Sequence, residues 1–412
     1  MMDLILRQAR LMDGTVVDIG IEAGKITAVS PNLPQSAPSE LDANQQLTLP
    51  AFVNGQLHAC KSFWRRPLSD FPPHIQQLPP FDAAQHVKQG YTEDDVFTRV
   101  DEVMRLAIVN GTCAIRLFAD VDEASGLTAV RALLRIREKY SPLMTVQVVA
   151  FPQDGASDST IQLMQEALSL GADVVGGIPW IEPDEAAQRT HTDMCFRLAQ
   201  QFGCDLHFVC DDMMDSRSRS LIYVAEQTIA NGWHGRVATT QCAALSTYPA
   251  DVAAYAFHCL KEANITIFSN SHVSLIATDF DEQQQPWPRS IAPVRQLLAA
   301  GIPVACGQDD IDNWFYPFGR NDMLEVAQFM AHNGRFAWHG DVNNVLPLVT
   351  ATPASVLGLT NYGLQVGAAA NLVVLDAPDW HQAIQFQPDK RFVILRGQLV
   401  SQTERKTDLF MS

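Results

Sequence analysis

Polar side chains that could do chemistry stand directly after apolar, strand-like runs of this sequence. A histidine ends the first such run at His58, and carboxylates follow later runs at Asp212 and Asp309. Imidazole and carboxylate groups are the usual general acids and bases, and they are also common ligands of zinc. The five segments of this kind are residues 54–58, 151–155, 209–212, 240–241 and 307–310. They form one site only if the fold brings their strand ends together.

Apolar runs and helical periodicity alternate through the middle of the chain. The eight strand-length runs are residues 52–58, 113–119, 145–151, 172–178, 205–210, 236–241, 265–269 and 302–307. Helical periodicity follows the first seven, at residues 94–109, 127–139, 161–170, 192–202, 221–231, 252–262 and 294–300. Strands buried on both faces and separated by helices are typical of parallel sheets. Eight units predict a closed (β/α)8 barrel, whose site lies at the carboxyl ends of its strands. An open doubly wound sheet is the alternative, but no glycine-rich phosphate turn follows any strand.

The two chain ends have a different pattern, with short β segments at each. Neither set is large enough to bury a core alone. We therefore predict a small β-sandwich domain made of residues 1–50 and 363–412, beside a barrel of residues 51–362.

Composition excludes several classes of protein. The formal net charge is −17 and no basic patch is visible, so a nucleic-acid partner is not expected. The sequence has neither an export signal nor an apolar run long enough for a membrane span, which predicts a cytoplasmic protein without a membrane partner. The eight cysteines occur singly, without a CxxC pair, and we interpret them as buried reduced thiols.

The strand-end segments, taken in order, resemble those of the amidohydrolase superfamily, and specifically its cytosine deaminase branch. Segments 147–155, 170–179, 314–323 and 363–375 carry the similarity most clearly. The resemblance implies one iron or zinc ion that activates water for attack on a ring carbon. It implies ligands from a His-x-His pair at the first strand, single histidines at the fifth and sixth strands, and an aspartate at the eighth. It also implies an assembly larger than a monomer, so we expect a homo-oligomer.

Most of the implied ligands are replaced in this chain. The positions of three histidines hold Gln56, Val209 and Gln241, and only His58 and Asp309 remain. A zinc or iron site needs three or more nitrogen, oxygen or sulfur donors at about 2.0–2.3 Å. We therefore expect no cofactor, or at most a weakly bound divalent zinc or iron ion.

A metal site rebuilt from other donors stays open as a minor alternative. Cys60 follows the His-x-His position, Cys242 follows Gln241, and His207 lies two residues before Val209 on the same strand. His58 and Asp309 with such donors would restore a coordination sphere.

The resemblance also implies which residues contact a ligand. Gln153 matches a glutamine that holds the amide edge of a substrate ring, and Phe315 matches an aromatic residue near the substrate. Trp314 could stack on a planar heterocycle, and His58 and Gln241 are expected to line the same pocket. Asp309 and Asp212 are the candidate proton carriers, Asp212 standing where the family has a glutamate.

Two hypotheses follow. In the first, the barrel binds a small planar nitrogen heterocycle and hydrolyses a C–N bond by deamination without the usual metal site. In the second, the chain is an inactive relative that serves as a ligand sensor or as a structural partner in an oligomer.

Overall fold

All eight apolar runs form strands of one parallel sheet. The computed structural model describes residues 2–66, 71–276, 291–338 and 341–410. The strands are β6 (Phe52–Leu57), β7 (Thr112–Asp120), β8 (Thr145–Phe151), β9 (Val174–Gly177), β10 (Asp205–Cys210), β11 (Val237–Gln241), β12 (Thr266–Phe268) and β13 (Val304–Ala305). They are hydrogen-bonded in chain order. A parallel bridge between Leu57 and Asp309 joins the first strand to the residues after the last. The backbone N–H of His58 donates to Asp309 O at 2.7 Å there, so the sheet closes and the predicted (β/α)8 barrel is confirmed.

Helices cover the outside of the barrel. They are α1 (Pro73–Gln76), α2 (Pro80–Lys88), α3 (Glu93–Val109), α4 (Thr128–Tyr140), α5 (Asp158–Ser169), α6 (Glu185–Phe202), α7 (Ser220–Ala230), α8 (Ala250–Ala263), α9 (Ser271–Ser274), α10 (Val294–Ala299), α11 (Met323–Asn333), α12 (Ala351–Val356) and α13 (Trp380–Phe386). The seven predicted helices are all present. Local signals set their ends: the Thr92 hydroxyl accepts from the N–H of Asp95 at the start of α3, and Gly203 ends α6 with a φ of +69°.

The chain ends form the predicted small β-sandwich. Its strands are β1 (Leu4–Arg10), β2 (Val16–Glu22), β3 (Lys25–Ser30), β4 (Ser39–Asp42) and β5 (Thr48–Pro50), with β14 (Leu372–Leu375), β15 (Lys390–Leu395) and β16 (Gln398–Gln402). One sheet has the order β3-β2-β1-β4 and the other β16-β15-β14-β5. Apolar side chains of both sheets, such as Ile19 and Val374, share one core. The exact division of the chain at residues 50 and 363 stays a prediction.

Two short helices lie between β6 and β7, over the barrel mouth. These are α1 and α2, and α2 places Pro80 and Phe81 in the wall of the central cavity. Phe81 packs edge-on against Phe315, with ring centroids 5.3 Å apart. Across the described residues, no helix combines the length and apolar character needed to cross a membrane.

Candidate functional site

A cavity of about 340 Å³ opens at the carboxyl ends of the barrel strands. The predicted catalytic and binding residues all line this cavity, and they are His58, Gln153, Asp212, Gln241, Asp309, Trp314 and Phe315. Val209, at a position where the resemblance implies a metal ligand, lines it too. Gln56 is fully buried beside this set without lining the cavity. The strand-end segments therefore meet as the barrel topology requires, while the roles of the individual residues stay predictions.

Asp309 is held by two glutamine side chains. Nε2 of Gln56 donates to Oδ1 at 2.7 Å, and Nε2 of Gln241 donates to Oδ2 at 2.5 Å. The glutamine carbonyls are satisfied in turn, because Asn270 Nδ2 donates to Gln56 Oε1 at 2.6 Å and Ser274 Oγ donates to Gln241 Oε1 at 3.0 Å. We call these five residues the amide–carboxylate network. Two of the three positions at which the resemblance implies a histidine ligand thus supply donors to Asp309.

The backbone is unusual at two members of this network. Gln241 has a φ of +68° and Asp309 a φ of +66°, in the left-handed region that residues other than glycine rarely occupy. Such conformations cost about 1–3 kcal/mol each and persist where the surrounding structure imposes them, often at functional sites. Here they turn the chain sharply at the ends of β11 and β13, which brings both side chains to the cavity.

Val209, the third position at which the resemblance implies a histidine, belongs to an apolar cluster. It packs with Phe118, Phe151 and Ile178 at the barrel mouth. The ring of His58 lies against this cluster, 5.0 Å from the Phe118 centroid and 5.1 Å from that of Phe151. Burial and the nearby Lys61 ammonium hold the pKa of His58 well below its usual value, so its ring is neutral.

The donors present do not fit a catalytic metal. Over the described ranges, which omit residues 1, 67–70, 277–290, 339–340 and 411–412, no three His, Cys, Asp or Glu side chains converge as a metal site would require. His58 Nε2 stands 3.7 Å from Asp309 Oδ1. Of the alternative donors, Cys60 is buried, and burial raises the pKa of its thiol. His207 is bound to Arg116 and Thr240 lower in the barrel.

A buried lysine is the main feature that the sequence analysis missed. Lys61 is 1% exposed and lines the cavity from a short 3-10 turn after β6, Ala59–Lys61. Its ammonium donates to Gln153 Oε1 and lies 3.2 Å from His58 Nδ1 and 3.3 Å from Asp120 Oδ1. Its position three residues after His58 was the only signal in the sequence. The structure therefore adds a cation to the floor of the site.

A second buried lysine ties α2 to the barrel behind this floor. The Nζ of Lys88 lies 2.6 Å from Asp122, 3.1 Å from Asp154 and 3.6 Å from Asp120. Burial disfavours the charged amine, but these carboxylates outweigh it and raise the pKa of Lys88. Asp120 thus stands between two ammonium groups, one facing the cavity and one anchoring the helix above it.

Two neighbouring carboxyl groups at the end of β13 are perturbed by burial. Burial raises the pKa of Asp309 against the lowering effect of its amide donors. Burial, together with the charge of Asp309, raises the pKa of Asp310 to about 8. Asp310 accepts from Asn313 Nδ2 at 2.6 Å and also lines the cavity. A protonated carboxyl next to an amide-bound carboxylate is an arrangement that can exchange protons with a ligand.

His272, in the short helix α9 after β12, does not line the cavity. It is 3% exposed, its Nε2 donates to the Gln308 carbonyl at 3.0 Å, and its ring stacks on Phe329. Burial lowers its pKa to about 4.

The fold and the site together define a (β/α)8 barrel with a ligand-sized cavity at the carboxyl ends of its strands. The family model described as "Amidohydrolase family" matches residues 76–401, and the chain belongs to this family. Its similarity to cytosine deaminase-like members agrees with the resemblance of the strand-end segments.

Individual relatives match almost the whole chain. N-isopropylammelide isopropyl amidohydrolase of Pseudomonas sp. (strain ADP) is 29% identical over 419 residues, covering 98% of both chains. Pterin deaminase of Rhizobium rhizogenes is 26% identical and covers 94% of this chain and 88% of its own. Among solved structures, 5-methylcytosine deaminase from Klebsiella pneumoniae superposes with a TM-score of 0.91 at 26% identity, covering 98% of this chain and 100% of that one.

Proposed function

We propose that the cavity binds a small planar nitrogen heterocycle. The observation that carries the proposal is the position of Gln153 and Lys61 on the floor of a cavity with aromatic walls, among them Trp180, Trp314 and Phe315. Aromatic side chains stack on planar rings, and a few polar groups in an apolar cavity fix a ligand's orientation. The names of the relatives, which refer to pterin, 5-methylcytosine and N-isopropylammelide, support this class of ligand.

We propose further that binding does not use a resident metal ion. Asp309 already accepts one amide N–H on each oxygen, and Val209 offers no donor atom. A metal at this place would have to displace both glutamine amides from the carboxylate. The amide–carboxylate network and the apolar cluster around Val209 instead support a site in which hydrogen bonds hold the strand ends together.

Ligand binding to the purified protein tests both statements. A ligand that binds only the folded state raises the melting temperature, with a stabilisation of about 2.7 kcal/mol at 100 times its Kd. We expect such shifts with a panel of pyrimidines, pterins and triazines, unchanged by a chelator, and no stoichiometric metal in elemental analysis. A panel without any shift would refute heterocycle binding, and one tightly held zinc or iron per chain would refute the metal-free site.

Hydrolysis of a C–N bond is the second candidate function. It is favoured by the carboxyl groups of Asp212 and Asp309, which line the same cavity as Gln153, and by the activities named for the relatives. Carboxyl groups within reach of a ligand can carry protons to and from it, an effect of about 10²–10⁴-fold in rate. In this chain the reaction would proceed without metal activation of water, with Asp309 and Asp212 as proton carriers.

Turnover in the presence of a chelator decides between binding and hydrolysis. Release of ammonia or amine from any panel member, lost in both Asp309→Asn and Asp212→Asn, would support the second candidate. A protein that binds panel members yet converts none, with or without added zinc or iron, acts as a ligand sensor or a structural partner.

We also propose a cytoplasmic homo-oligomer. All eight cysteines are free, which suits a reducing compartment. Large apolar side chains are exposed at Phe318, Trp338 and Phe386, at 63%, 75% and 66%, and such groups favour association. Light scattering on the purified chain should give a mass above that of one 45.5 kDa chain, and a monomer at all concentrations would refute this.

A further inference from the structure

We propose that the cavity selects heterocycles whose edge carries oxo groups over those whose edge carries amino groups. The inference deepens the proposed binding of a planar heterocycle and rests on it. It comes from the hydrogen-bond roles that Lys61 imposes on Gln153 and His58.

The ammonium of Lys61 fixes the orientation of both neighbours. A protonated lysine has three donors and no acceptor. The oxygen of the Gln153 amide must therefore face Lys61, as it does. For the same reason Nδ1 of His58, 3.2 Å away, must accept, which places the ring proton of the neutral histidine on Nε2.

Both residues consequently present N–H donors on their other side. In the described part of the chain, Nε2 of Gln153 has no hydrogen-bond partner, although the residue lines the cavity and is 3% exposed. Nε2 of His58 is 3.7 Å from Asp309 Oδ1, which is beyond hydrogen-bond distance. A ligand that reaches the floor thus meets two donors, and a carbonyl oxygen satisfies a donor where an amino group cannot.

The positive charge of Lys61 on the cavity floor also favours oxo groups over amino groups. Nζ of Lys61 lies 5.3 Å from the ring centroid of Phe315 and 5.7 Å from that of Phe151, so the cation stands among the aromatic walls. A positive charge in a largely apolar cavity attracts the partial or full negative charge of carbonyl oxygens. The amide oxygens of the network already accept hydrogen bonds, that of Gln241 from Ser274 and that of Gln56 from Asn270.

Asp212 and Asp310 supply carboxyl groups elsewhere in the cavity wall. The carboxylate of Asp212 can accept from a ring N–H group, such as the one that a cyclic imide carries between its carbonyls. The complete pattern of donors on the floor and acceptors on the wall therefore matches a lactam or imide edge. It does not match an exocyclic amine facing Gln153.

Two matched pairs of probes test the inference by calorimetry at one pH. Uracil and cytosine differ in one oxo or amino group, and barbituric acid and 2,4,6-triaminopyrimidine differ in three. We expect the oxo member of each pair to bind at least about fivefold more tightly, since an unpaired buried donor costs about 1–3 kcal/mol, a factor of at least about five in affinity. Tighter binding of the amino members would overturn this inference while leaving heterocycle binding intact. Absence of binding by all four would overturn both.

The variant Gln153→Glu tests the residue itself. It replaces the amide donor by an acceptor and preserves an oxygen for Lys61, so the preference for oxo ligands should fall at least about fivefold. The control Gln165→Glu makes the same change on an exposed face of α5, and it should leave the preference unaltered. Unchanged preference in Gln153→Glu, with an unchanged circular dichroism spectrum, would overturn the assignment of Gln153 as the donor.

Discussion

Replacing Gln56 by glutamate probes the bond between Gln56 and Asp309 alone. The change preserves the size of the side chain and the carbonyl-like oxygen that accepts from Asn270 at 2.6 Å. On the other side it exchanges an N–H donor, 2.7 Å from Asp309 Oδ1, for a carboxyl oxygen. Two fully buried carboxyl groups then stand in contact, and they cannot both be ionised without a large cost.

The magnitude follows from the proton that this pair must retain. An unfolded glutamate has a pKa near 4.3, and a buried like-charged neighbour raises the pKa in the folded state, to about 7 for a shift of moderate size. The loss of stability relative to the parent chain is then about 1 kcal/mol at pH 5 and about 3.7 kcal/mol at pH 8. Because the folded pKa is raised, stability is complete below pH ~4 and lost as the pH rises through ~7. With an unfolding entropy of about 2.1 cal/mol/K per residue, these losses correspond to about 1 °C and 4 °C.

Thermal unfolding of the parent chain and of Gln56→Glu at pH 5 and pH 8 measures this difference. The exposed control Gln165→Glu should shift by no more than about 0.5 kcal/mol at either pH. Equal losses at the two pH values would contradict the reasoning, since they would show that no shared proton is involved. An unchanged melting temperature of Gln56→Glu at pH 8 would contradict the reasoning more directly. It would mean that a cation beside Asp309 accommodates a second carboxylate there.

Two further variants test other buried charges. Asp310→Asn should remove part of the pH dependence of stability. Burial raises the pKa of Asp310 to about 8, so the parent chain loses up to about 1.4 kcal/mol of folding stability per pH unit between the unfolded pKa and pH 8. Denaturant titrations should therefore show a smaller difference in stability between pH 5 and pH 8 in the variant than in the parent chain. Lys88→Met should cost about 3–5 kcal/mol, because it leaves the buried carboxylate of Asp122 without its cation. Lys139→Met, at a side chain of α4 that is 42% exposed, should cost less than about 1 kcal/mol; equal effects of the two lysine variants would refute the importance of the buried cluster.

The barrel could be predicted from the sequence because its signal is repeated. Each strand is a short apolar run, and each helix carries a periodic pattern with a local end such as Gly203. Strands β4 and β5 carry no such signal, since Ser39–Asp42 is polar and Thr48–Pro50 has only three residues. They are strands because β1 and β14 pair with them, which is a tertiary effect.

The cavity-lining residues could be predicted for a related reason. A polar group at the carboxyl end of a barrel strand has few other places to point, so the strand-end segments contained Gln153 and Asp309, and the family resemblance then singled them out. The partners of these residues could not be predicted. Asn270 and Gln56 are 214 positions apart in the chain, and Lys61 and Gln153 are 92 apart. Nothing local shows that Lys61 turns inward, because a lysine in a loop is usually solvated.

The side chains around Asp309 form a set rather than a series of independent residues. Gln56 and Gln241 stand where the resemblance implies histidine, and their two amides supply donors to the buried carboxylate. Asn270 and Ser274 then satisfy the glutamine oxygens. A half-satisfied buried network is worse than an apolar one, so the loss of any one of these side chains would leave an unpaired group. Because every member of this network is bonded, the arrangement has the properties of a stable site, and its chemistry follows from hydrogen-bond donors and the Lys61 ammonium.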